Sequence, residues 1–142
     1  MKSISTIASQ LKTHMRTKFE NVGFSLAATP ESLVQEDSVV AEPLPLPCVL
    51  ILVEGGTFTD GSLTRNLNVS FVLLDALKDS ENARAMSMWE QCDALQELFP
   101  TGGTLVGDLF CVPLSFRTLA GPEGRAACSL SVLVRETDPE SI

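Results

Sequence analysis

"EPLPLPCVLILVEGG", Glu42 to Gly56, decides how this chain is read. Pro43, Pro45 and Pro47 alternate with leucines and hold the backbone extended, which forbids a helix there. Six apolar residues come next without a break. "CVLILVE" (Cys48 to Glu54) is short, contains valine and isoleucine, and is bounded by Pro47 and Gly55-Gly56, so it predicts a strand. Val49, Ile51 and Val53 make one face; Cys48, Leu50 and Leu52 make the other. A strand with no polar face needs cover on both sides. One helix across the sheet covers one side. The second cover is expected from another helix on the far side or from a neighbouring subunit.

Reading outward, "GGTFTDGSLTRN" (Gly55 to Asn66) is a polar turn region centred on Asp60-Gly61. "LNVSFVLLD" (Leu67 to Asp75) is the return strand of a hairpin, with Leu67, Val69, Phe71 and Leu73 on one face. Residues 80–99 predict a helix. Asp79 or Ser80 caps it, and Ala85, Met88 or Trp89, Cys92, Leu95 and Phe99 form its stripe. Trp89 and Phe99 are read as core residues. "DLFCVPLSFR" (Asp108 to Arg117) alternates, with Phe110, Val112, Leu114 and Phe116 on one face. Pro113 marks it as an edge strand or a bulged one. "AACSLSVLVRE" (Ala126 to Glu136) is the last strand, with Cys128, Leu130, Val132 and Val134 together.

Upstream, residues 4–19 read as an amphipathic helix with the stripe Ile4, Ile7, Leu11, Met15 and Phe19. Ser3 or Ser5 caps it, and Asn21 and Gly23 stop it. Residues 20–47 are read as an irregular, acidic, proline-containing connection or arm with at most one short element; "FSLAA" (Phe24 to Ala28) is the candidate strand within it. The tail 137–142 is expected to fray. The expected fold is α+β: a four-stranded, mainly antiparallel sheet with two helices, in the order α-β-β-α-β-β, as one domain over 1–142.

The totals agree with a folded domain. A chain of 142 residues buries roughly 70% of its unfolded surface and needs no staple. Residues 1–19 carry Lys2, Lys12, Arg16 and Lys18 and no acid, yet the formal net charge is −8. An acidic body of this kind argues against a nucleic-acid groove. No apolar stretch reaches the length of a signal-peptide core or a bilayer span, so a cytosolic setting and no membrane are expected. Cys48, Cys92, Cys111 and Cys128 each fall in an apolar pattern without C-x-x-C spacing. They read as buried thiols rather than zinc ligands or disulfides.

Catalytic signatures are missing from the chain. It has a single histidine, His14, and no tyrosine. There is no G-x-S-x-G, P-loop, H-E-x-x-H or G-x-G-x-x-G. Asp75/Asp79 and Asp93/Glu97 are carboxylate pairs on or beside a surface helix, where solvation is the ordinary state. The expectation is a protein that is not an enzyme, takes no cofactor and works by binding.

In order and spacing, these features resemble the tail terminator proteins of long-tailed bacteriophages, of the lambdoid minor tail protein type. The resemblance rests on the N-terminal helix, "LPCVLILVEG", the "TFTDG" turn, "LNVSFVLLDA", the tryptophan-bearing "SENARAMSMWEQCDALQELF" and "ACSLSVLVRE". It implies a hexameric ring that caps the tail tube, stops its polymerisation and meets the head–tail connector. It also implies assembly in the host cytoplasm, a place in the virion neck, and DNA passing through without specific binding. A ring needs two different contact patches per subunit. The candidates are Leu44 and Leu46 of the proline–leucine arm, Phe58 and Phe116, and the cations Arg65, Arg117 and Arg125. Two other classes compete with this reading: a head-completion or other neck adaptor module, and a small ligand-binding domain or enzyme.

Overall fold

The computed structural model describes residues 2–26, 29–35, 45–58, 65–76, 80–119 and 125–136. These form three helices and six strands: α1 (Ile4–Met15), β1 (Val22–Phe24), α2 (Pro30–Gln35), β2 (Cys48–Phe58), β3 (Arg65–Ala76), α3 (Glu81–Glu97), β4 (Thr104–Val106), β5 (Leu109–Leu119) and β6 (Arg125–Glu136). All strands join one sheet in the order β1-β2-β3-β6-β5-β4. β1 runs parallel to β2, and the other neighbours pair antiparallel.

This corrects the expected four-stranded, two-helix sheet. Each added element is short: β1, α2 and β4. β1 also explains the long connection after it. Two adjacent parallel strands cannot be joined by a tight turn, so the connection from Phe24 to Cys48 has to be a long crossover. α2 lies on that crossover. Thr29 caps it, its Oγ1 accepting from the Ser32 amide at 3.1 Å, and Pro30 occupies the first helical position.

The sheet separates two apolar clusters. On one face, Ile7, Leu11 and Met15 of α1 and Met88, Cys92 and Leu95 of α3 pack on Val49, Ile51, Val69, Phe71, Leu130 and Val132, with Leu98 and Phe99 just beyond α3. Ser3 caps α1 by accepting from the Thr6 amide, and Ser80 caps α3 by accepting from the Ala83 amide. His14 joins the two helical regions: its Nε2 lies 2.8 Å from the Leu98 carbonyl and its ring meets Phe99 edge-on. Trp89 is not core. It is 56% exposed, and Met88 takes the buried position.

On the opposite face, Leu33 of α2 packs with Cys48, Leu50, Leu52, Val72, Leu74 and Ala127, and Leu46 and Leu119 close the rim. The second cover for "CVLILV" is therefore α2, a helix from the segment read as irregular. Leu50 and Leu52 are buried within a single chain. Arg117 on β5 forms an ion pair with Glu31 of α2, tying the crossover to the far side of the sheet.

Two bulges shape the long strands. Between Val53 and Gly55 the β2–β3 register shifts, and the hairpin continues to Phe58 opposite Arg65. At Gly56 a side chain would collide with the Asn66 carbonyl, so glycine is required by the close approach of β3. Between Pro113 and Ser115 the β5–β6 register shifts and Leu114 is the extra residue. One extra residue reverses the facing of every residue after it on the strand. Phe110 and Val112 share a face, but Phe116, opposite Leu130, turns to the helical side. The four were expected on one face.

Candidate functional site

The open margins of the sheet are its most distinctive surface. β1 covers β2 only at Val49–Ile51, so Val53–Phe58 has no described partner on its outer side. β4 covers β5 only at Leu109–Cys111, so Val112–Leu119 has none either. The two bare stretches lie on opposite margins. They also lie at opposite ends, because Phe58 sits by Arg65 while Leu119 sits by Ala127. Unpaired strand edges carry rows of free amide and carbonyl groups and invite another strand.

Each edge bears an aromatic side chain. Phe58 is 73% exposed and Phe116 57% exposed. Leu114, pushed out by the bulge, is as exposed as Phe116. Beside Leu114 and Phe116 a groove of about 660 Å³ runs between the C-terminal end of α3 and β5, lined by Phe99, Pro113, Leu114, Phe116 and, on its acidic rim, Asp93 and Glu97.

No protein-family model and no curated protein matches the chain.

The candidate residues fall into distinct places. Phe58 and Phe116 stand on the two bare edges. Leu46 packs on the α2 cluster. Leu44 lies outside the described residues. Arg65 is engaged inside its own chain: its Nε lies 3.4 Å from Glu136 and its Nη2 donates to the Lys2 carbonyl at 2.6 Å. Arg117 pairs with Glu31. Arg125 begins β6 opposite Ala76, and its side chain lies outside the described residues. The structure brings Arg65 near the Phe58 edge and Arg117 near the Phe116 edge, as intrachain anchors.

Sequence reasoning passed over Leu114 and Glu31. Leu114 had a usable signal, since a proline inside an alternating strand announces a bulge and a bulge re-aims its neighbour. Glu31 sits just after a Thr-Pro helix start, where an acid in the first turn is favoured.

The end of the sheet beneath Phe58 is stitched by charge. The Lys2 backbone amide donates to Glu136 at 2.7 Å, and Lys2 Nζ donates to Asp108 at 2.5 Å. Gln10 Nε2 adds a 3.2 Å bond to Asp108. These bonds hold the Asp108 carboxyl below the usual carboxylate range, with Lys2 the largest cause. On the face opposite α1, a polar patch joins Glu54, Ser70, Ser115 and Ser131, with Ser70 donating to Glu54. No described helix is long and apolar enough to cross a membrane, which leaves β-barrels untouched. Among the described residues no cluster of three or more His, Cys, Asp or Glu side chains is placed to hold a metal ion.

Proposed function

We propose that the protein is a structural ring-former of the phage tail terminator kind. Copies join head to tail, the ring caps the tail tube and stops its growth, and its other face meets the head–tail connector. The observation that carries this reading is the pair of bare strand edges on opposite margins, each with an exposed phenylalanine. Two unlike edges on one subunit are what a heterologous, rotationally closing contact requires. A β2 edge added to a neighbour's β5 edge continues the sheet from subunit to subunit, with backbone hydrogen bonds for affinity and Phe58 and Phe116 for register.

Charge supports the same reading. Six copies at −8 each make a ring near −48 in formal charge, so DNA threading the centre meets repulsion rather than a trap. The place of action is the virion neck, after assembly in the host cytoplasm. Electron microscopy of the protein mixed with tail tubes tests the proposal. Sixfold rings at tube ends are expected. Tubes that stay uncapped at excess protein overturn it.

A further inference from the structure

Cys92 on α3 and Cys128 on β6 face each other in the core, their Sγ atoms 2.7 Å apart. Both are buried and neither is in a disulfide. Two sulfurs at this distance are inside ordinary nonbonded contact, and a bond between them needs them to close to about 2.05 Å. We propose that Cys92 and Cys128 are a cross-linking site, oxidised by hydrogen peroxide to an intrachain disulfide that ties α3 to β6.

The pair is set up for this chemistry on two counts. The sulfurs already lie in contact, 2.7 Å apart across the α3–β6 packing. Their hydrogen bond lowers the pKa of the Cys92 thiol and raises that of Cys128, with burial adding to the rise at Cys128. That polarisation favours Cys92 as the thiolate, which is the form that reacts. Cys111 provides the contrast. It makes a long bond to the Leu109 carbonyl, and burial pushes its thiol up to about 12.

The step balances. The Cys92 thiolate attacks one peroxide oxygen, the O–O bond breaks, and a hydroxide leaves to become water. Cys92 is then a sulfenic acid. The Cys128 sulfur attacks the Cys92 sulfur, the S–O bond breaks, and a second water leaves with the Cys128 proton. The two sulfurs give up two electrons and the peroxide takes them. The product closes a loop between positions 36 apart, which contains β4 and β5. It therefore fixes α3 over the sheet on the side that carries the groove, and it restricts the unfolded chain.

Mass spectrometry on the folded full chain tests the proposal, after hydrogen peroxide treatment and alkylation of remaining thiols in denaturant. The expected result is loss of two hydrogen masses, a single Cys92–Cys128 cross-linked peptide, alkylated Cys48 and Cys111, and a melting temperature that rises and returns on reduction. Cys92→Ala and Cys128→Ala each abolish the cross-link, while Cys48→Ala and Cys111→Ala keep it, so failure of one variant to fold leaves the others to decide. Alkylation of all four cysteines after peroxide, or a cross-link between any other pair, overturns the proposal.

Discussion

Leu50 and Leu52 lie beneath α2, and their burial is complete within one chain. Leu52→Asp places a carboxylate in the apolar cluster of Leu33, Leu50 and Leu74, at a cost of more than about 4 kcal/mol. The expected outcome is an unfolded chain by circular dichroism, not a folded chain that fails to assemble. Phe58 and Phe116 are the reverse case. Phe58→Lys and Phe116→Lys change exposed positions, so each variant should melt within about 1 kcal/mol of the parent yet lose self-association in sedimentation. Asp108 gives a pH signature. Its folded pKa is depressed, so its contribution is present at neutral pH and is lost as pH falls through that depressed value. Asp108→Asn should cost under about 1 kcal/mol at neutral pH, because both partners are a third or more exposed, and the gap to the parent should close in acid. Melting temperatures across pH read this directly. At this scale the two faces of Cys48–Val53 were legible from alternation alone. Trp89 was not, because Met88 and Trp89 are adjacent and helical spacing admits either.

At the scale of elements, the long strands and α1 were legible because each carries its own periodicity over many residues, and α3 because Ser80 caps it and Pro100 stops it. β1, α2 and β4 were not, for physical reasons. Three residues of β1 with Gly23 at the centre make no pattern, and the strand exists because Val22–Phe24 finds a parallel neighbour in β2. β4 likewise exists through its pairing with Leu109–Cys111. α2 is too short to persist without its packing, although "TPES" holds a cap, a first-turn proline and a first-turn acid. Its apolar anchor is Leu33, which is 2% exposed. Leu33→Ala should lower unfolding free energy by about 2–4 kcal/mol in urea titration. If α2 contributed nothing to the core, the variant would match the parent. The parallel β1–β2 pair also turns the long 25–47 connection from an oddity into a topological need, and α2 within it covers the face that holds Cys48, Leu50 and Leu52.

At the scale of the whole molecule, the sheet has two unfinished margins that differ in strand, in end and in neighbouring charge. The residues at the two bare edges were partly legible: Phe58 and Phe116, named from the sequence, are exposed there, while Arg65 and Arg117, named with them, are engaged within the chain. The bulge at Leu114 and the groove against Phe99 depend on register and on α3, which no local pattern reports. An acidic ring should ignore duplex DNA. A gel-shift assay at low salt should show no complex, and a shifted band that weakens as salt rises would contradict the proposed passage.

Native mass spectrometry of Phe58→Lys and Phe116→Lys, each alone and mixed one to one, beside the parent protein, tests the two-edge claim most directly. Each variant keeps one sound edge. The account predicts closed rings for the parent, monomers for each variant, and heterodimers that grow no further for the mixture. A parent that stays monomeric at high concentration, or a mixture that forms no heterodimer, would contradict it.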